Sequence, residues 1–166
     1  YEISEGVAWD HIAFTDELRA LAQRTDAVCF GSLAQRHEAS RTTILSFLKA
    51  MPEGSLRIFD INLRLQYYTR ETIHTSLEHA DILKLNDEEV PIIARLLGLE
   101  GDMEAVCRQV LTDYSLRAVI LTRGADGCSI YHEKGSVFHP SACIEVADTV
   151  GAGDSFTAGF VSALLA

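Results

Sequence analysis

Apolar residues follow two rhythms along this chain, a three-to-four spacing sustained over helical lengths and short runs of strand length. From Thr15, the positions of Leu18, Leu21 and Ala22 behind Asp16 and Glu17 predict an amphipathic helix with acidic residues in its first turn, and residues 26–31 then read as a short buried strand. The alternation recurs. Helical spacing over 38–50 leads to a strand at 56–61, helical spacing over 70–79 to a strand at 81–85, and two helical stretches, 88–97 and 103–114, to a strand at 117–122. Strands that alternate with helices of this length are the sequence form of right-handed crossover units, so the predicted fold class is α/β, a mostly parallel sheet covered by helices. After Thr122 the rhythm changes. Residues 128–132 and 137–139 flank Glu133, Lys134, Gly135 and Ser136 as a hairpin at the sheet edge, residues 142–146 read as a further extended piece, and a last helix is expected from Asp154. No repeat, linker or low-complexity tract interrupts the pattern, so residues 1–166 read as one domain.

Composition narrows the partners. A chain of 166 residues, 48% hydrophobic and 23% charged, is long enough for one buried core. Its formal net charge of −10 speaks against a nucleic-acid partner, because phosphate backbones are held by basic surface. Cys29, Cys107, Cys128 and Cys143 are irregularly spaced, without a Cys-x-x-Cys pair or matching histidines, so neither a zinc site nor a disulfide framework is predicted. Scattered thiols suit a reducing cytoplasm, the expected location. No apolar run approaches membrane-spanning length and nothing resembles a signal peptide, so no membrane association is expected. The chain opens on Tyr1-Glu2-Ile3 and stops within the apolar helical pattern at Ala166, which predicts the central and later part of a longer protein.

Chemistry is sought where strands hand over to helices, since α/β sheets bind ligands at the carboxyl ends of their strands. Gly151-Ala152-Gly153-Asp154 lies between an extended segment and a helix. Small residues there let backbone N–H groups approach an anion, with the helix dipole adding favourable field. A carboxylate inside an anion cradle is unfavourable for binding alone, which points to a reaction for Asp154; the alternative is a glycine turn with Asp154 capping the helix. Neither a P-loop nor a dinucleotide fingerprint is present, since Phe156 stands where the third glycine would be. Asn86 and Glu89, three residues apart, read as a capping box, as ligands of nucleotide phosphates and water-bound magnesium, or as both. Period-two alternation would send Asp60, Asn62 and Arg64 to one side of a strand end, where Arg64 pairs with a phosphate or, alternatively, with Asp60. Thr122-Arg123-Gly124-Ala125-Asp126-Gly127 is a glycine-punctuated turn, and Trp9 reads as a packing residue.

In order, Asp60-x-Asn62-x-Arg64, Asn86-x-x-Glu89, Thr122-x-Gly124-x-x-Gly127 and Asp148-Thr149-Val150-Gly151-Ala152-Gly153-Asp154 resemble the downstream half of the ribokinase-like (PfkB) carbohydrate kinases. The last motif carries most of the resemblance; the others are individually weak. The resemblance implies a three-layer α/β/α fold without the family's upstream strands and lid, and an ATP-dependent transfer to a sugar hydroxyl. Asp154 would be the catalytic base, the amides of Gly151, Ala152 and Gly153 the anion hole, Asn86, Thr122, Gly124 and Gly127 the nucleotide site, and Glu89 the magnesium residue. Asp148 and the Val150 carbonyl would hold a monovalent cation such as K+, and a homodimer would form through the lid. Gly31-Ser32-Leu33-Ala34 and the Asp60 motif look most like the fructokinase and 2-keto-3-deoxygluconate kinase branch, which puts Gly31 with Asp60, Asn62 and Arg64 in substrate and phosphate binding. A nucleoside kinase of the same family, or a non-catalytic nucleotide- or sugar-binding protein, is the alternative.

Overall fold

The computed structural model describes residues 2–141, 148 and 150–166. Six strands, β1 (Ala27–Phe30), β2 (Leu56–Asp60), β3 (Ile82–Asn86), β4 (Ala118–Thr122), β5 (Cys128–His132) and β6 (Gly135–His139), form one sheet in chain order. β1 to β4 are mutually parallel, and β5 pairs antiparallel with both β4 and β6. The parallel strands are joined through α2 (Glu38–Ala50), α3 (Arg70–Glu78), and α4 (Glu89–Leu97) with α5 (Met103–Asp113); α1 (Asp16–Ala22) precedes β1 and α6 (Ala152–Leu165) follows the hairpin.

Local chemistry sets the helix starts. The Thr15, Thr69 and Asp102 side chains accept hydrogen bonds from the amides of Leu18, Thr72 and Ala105, each satisfying a donor that the first helical turn leaves free. Strand alternation sets the layers. Phe30, Phe59, Leu83, Leu85, Val119, Leu121 and Tyr131 face one way and bury Ala22, Leu48, Ile73, Leu77, Ile93 and Val110 of α1 to α5. Leu56, Ile58, Ile82, Ala118 and Ile120 face the other way, against Phe156, Phe160 and Val161 of α6. The sheet therefore lies between two helical layers, as expected.

Three expectations are corrected. β1 is not a buried strand: only Phe30 is buried, because β1 lies at the edge of the sheet and lacks a second neighbour among the described residues. The hairpin is tighter than the sequence suggested, β6 beginning at Gly135 after a turn at Glu133 and Lys134. α6 begins at Ala152, two residues before the expected Asp154, and this matters for the site. The extended piece expected over 142–146 lies outside the described residues.

Candidate active site

α6 is the organising element. Its cap, Gly151, has φ 78° and makes no side-chain capping bond, while Asp154 sits within the first turn. The reading of Asp154 as the helix cap is thereby excluded. The Ser155 amide already donates to the Gly151 carbonyl at 2.8 Å, and the Gly151 cap offers no side chain to the amides of Ala152, Gly153 and Asp154 at the positive end of the helix dipole. All three residues are exposed, so an anion can reach them.

The floor of this site holds a side chain that the sequence reading missed. Lys84, in the middle of β3, is buried with its Nζ 2.7 Å from Asp60 Oδ2. The two are register partners on neighbouring parallel strands, so the period of the strands alone brings them together. Thr157 of α6 donates to the same Asp60 oxygen at 3.2 Å and to the Gly153 carbonyl at 3.0 Å. A Cβ on Gly153 would stand 3.3 Å from Lys84 Nζ, so the ammonium lies directly beneath the cradle. The cradle thus draws positive field from a helix end and from a buried lysine. The thiol of Cys29, exposed on the edge strand β1, is pushed up to about 11, by desolvation from the surrounding atoms first and then by the Asp60 carboxylate, with Asp154 acting in the same direction.

The fan of Asp60, Asn62 and Arg64 expected on one side of the strand does not form. β2 ends at Asp60, and Asn62 turns the chain with φ 40°, so alternation stops where the motif begins. Arg64 donates to the Leu63 carbonyl at 3.2 Å and leaves Asp60 to Lys84, which removes the Arg64–Asp60 ion pair as an alternative. Gly31 and Asn62 are brought together instead, lining a hollow of about 340 Å³ with Trp9 and Ser32. Trp9, expected as packing, is 43% exposed there.

Asn86 and Glu89 form the reciprocal arrangement that the sequence suggested. The Glu89 amide donates to Asn86 Oδ1 and the Asn86 amide to Glu89 Oε2, both at 2.9 Å. Glu89 Oε1 accepts from the Leu63 amide at 2.8 Å, tying the start of α4 to the loop after β2. The Glu89 carboxyl is raised above the usual carboxylate range, by burial first, against the lowering effect of the Asn86 and Leu63 amides.

Thr122, Gly124 and Gly127 come together around a cavity of about 470 Å³, whose opposite wall is Ala152, Gly153 and Phe156. Asn86 is the register partner of Thr122. Gly127 has φ 90°, and a Cβ there would collide with the His139 carbonyl, so glycine is required for β5 and β6 to close beside this cavity. A larger hollow of about 580 Å³, lined by Asp26, Glu53, Leu56 and Arg117, opens at the other end of the strands, where no candidate lies.

Cation sites are tested by their donors. Among the described residues no group of three or more His, Cys, Asp or Glu could enclose a metal. Magnesium retains most of its water and needs only one or two protein carboxylates beside phosphates. Glu89 suits such an outer contact, since it is a buried carboxylate that forms no ion pair among the described residues. Asp148 accepts the Val150 amide at 2.9 Å in an exposed turn. No helix among the described residues is long and apolar enough to cross a membrane.

Comparison with known proteins agrees with this architecture. Residues 7–166 match the model of the pfkB family carbohydrate kinases. A fructokinase of Rhizobium leguminosarum bv. trifolii is 30% identical over 165 residues, covering 96% of this chain and 49% of its own length. The crystal structure of an uncharacterized sugar kinase from Pyrococcus horikoshii superposes with a TM-score of 0.82 at 26% identity, over 99% of this chain and 52% of that one. A Vibrio cholerae fructokinase, solved in a fructose, ADP and calcium ion bound form, gives a TM-score of 0.70 at 26% identity over 84% of this chain and 46% of that one. The chain spans about half the length of the curated relatives it matches.

Proposed function

This chain belongs to the pfkB family of carbohydrate kinases, and we propose that the protein it belongs to transfers the γ-phosphoryl group of ATP to a hydroxyl of a sugar, with fructose the first candidate. One observation carries the reading: an uncapped helix end with a carboxylate in its first turn, set between a cavity on the β4–β5 side and a hollow on the β1–β2 side.

In this reading the nucleotide occupies the cavity bounded by Thr122, Gly124, Gly127 and Gly153, with Asn86 at its β3 border. The amides of the Gly151–Asp154 turn receive the charge of the moving phosphoryl group, supported by Lys84 beneath them. Asp154 accepts a hydrogen bond from the acceptor hydroxyl. As the oxygen–phosphorus bond forms and the bond to the β-phosphate oxygen breaks, the proton passes to the Asp154 carboxylate, leaving ADP and a sugar phosphate. A carboxylate suffices as base because in a loose transition state the proton leaves late and positioning dominates. Glu89 would reach the water shell of a magnesium ion brought in with ATP, which would offset phosphate charge. The Asp148–Val150 turn is the proposed place for a monovalent cation such as K+, and a cytoplasmic homodimer closed by a lid outside this chain remains part of the proposal.

The test is Asp154→Asn in the full-length protein, assayed by coupled ADP release against fructose, ribose, 2-keto-3-deoxygluconate and adenosine. Loss of the base should cut kcat by about 10²–10⁴-fold, roughly 3–5 kcal/mol of barrier, with ATP affinity kept. A variant with near-normal kcat would falsify the assignment. A wild-type protein that binds ATP but phosphorylates none of the four acceptors would favour a non-catalytic binding protein.

A further inference from the structure

The geometry points to Trp9 as the platform on which the acceptor sugar lies, an inference that rests on the kinase reading above and adds the residue that grips the acceptor. Trp9 is the one tryptophan in the chain, and it sits on a single 3-10 turn, Ala8–Asp10, at the surface. That turn is anchored from below. The buried Asp10 carboxylate accepts the amides of Gly6 at 2.9 Å and Val7 at 3.2 Å, and it holds the Arg36 guanidinium through two bonds of 2.7 and 2.8 Å. The same guanidinium lies 6.0 Å from the Trp9 ring centroid and 4.6 Å from that of Tyr67. The turn that carries Trp9 is fixed by a buried ion pair, and the tryptophan itself stays 43% exposed.

Its ring borders the hollow of about 340 Å³ with Gly31, Ser32, Leu33, Ala34 and Asn62. No charged side chain contributes to that lining, so the matching ligand surface is uncharged. Sugar rings carry such a surface, an apolar C–H face that lies flat on an aromatic ring while hydroxyls at the edge reach an amide such as that of the exposed Asn62. The position fits an acceptor. Gly31 abuts the Asp60 backbone carbonyl, and the Asp60 side chain contacts Thr157, one helical turn beyond Asp154. The hollow, beyond β1 and β2, and the nucleotide cavity, beside β4 and β5, thus lie at the same end of the sheet as the start of α6 above β3.

The experiment uses the full-length enzyme and a sugar that the wild type phosphorylates. Trp9→Ala should raise the KM for that sugar about tenfold or more, the equivalent of one good aromatic contact, while leaving the KM for ATP unchanged. Trp9→Phe retains a ring and should recover most of the loss, which also separates the effect from misfolding of the alanine variant. Saturating sugar, but not ATP alone, should alter the fluorescence that distinguishes wild type from Trp9→Phe. An unchanged sugar KM in Trp9→Ala, or parallel increases for sugar and ATP, overturns the platform while the kinase reading stands. Absence of sugar phosphorylation by the wild type overturns both.

Discussion

Replacing Lys84 with Met would keep the length and apolar stem of the side chain and delete its charge, which makes it the sharpest test of the buried floor beneath the cradle. At the observed 2.7 Å, two unit charges attract by about 6 kcal/mol at an effective dielectric of 20. Burying each ion costs several kcal/mol, so the intact pair lies near break-even. The variant does not. It leaves Asp60 buried with the Thr157 hydroxyl as its one side-chain donor among the described residues, and stranding one member of such a pair typically costs about 3–5 kcal/mol. That is a large part of the roughly 5–15 kcal/mol by which domains are stable. Urea unfolding of the full-length protein should show the midpoint falling in Lys84→Met at unchanged m. Asp60→Asn should also destabilise, and the double variant should cost no more than the worse single one, because it strands no charge. A loss below about 1 kcal/mol in Lys84→Met, or singles that simply add in the double variant, would refute a buried and coupled pair. Turnover should fall in the variant as well, since the ammonium beneath Gly153 is part of the field offered to the phosphoryl group.

Two further outcomes follow from named contacts. Gly127→Ala places a Cβ against the His139 carbonyl at φ 90°, so it should cost more than about 2 kcal/mol in urea unfolding and raise the KM for ATP more than that for sugar; unchanged ATP kinetics would separate Gly127 from the nucleotide cavity. The Asp10 carboxyl is held at about 2, chiefly by its hydrogen bond to Arg36, below its ordinary value of 3.8, so the unfolded chain binds the extra proton between these values. Its stabilisation is therefore complete above about pH 4 and disappears as pH falls toward 2. Asp10→Asn should melt below wild type at neutral pH and converge with it near pH 2; a gap independent of pH would contradict the charged pair.

The helices, the strands and the glycine loop were legible because each rests on a local signal. Thr15, Thr69 and Asp102 cap where the polar residue meets the apolar rhythm, and α2 occupies the residues its spacing predicts. The Asn86–Glu89 box was legible for the same reason, as both partners lie within one turn. What failed depends on relations between distant segments. Asp60 and Asn62 are two residues apart, and alternation would pair them only if the strand continued; Asn62, with φ 40°, ends it, leaving Asp60 beneath the cradle and Asn62 beside Trp9.

Lys84 was the recoverable omission. A lysine flanked by Leu83 and Leu85 in a strand of a parallel sheet cannot face water, because helices cover both sides, so it requires a buried anion on a neighbouring strand. Asp60, at the end of the preceding strand, was the available candidate. Thr157 was recoverable from the same logic, three residues beyond Asp154 and hence on the next turn of the helix face, buried against Asp60. The motif residues mark the surfaces proposed to receive ligands, whereas Lys84, Asp60 and Thr157 form the floor beneath the start of α6. A family signature read along the chain registers the first set and passes over the second, and the geometry of the proposed transfer depends on both.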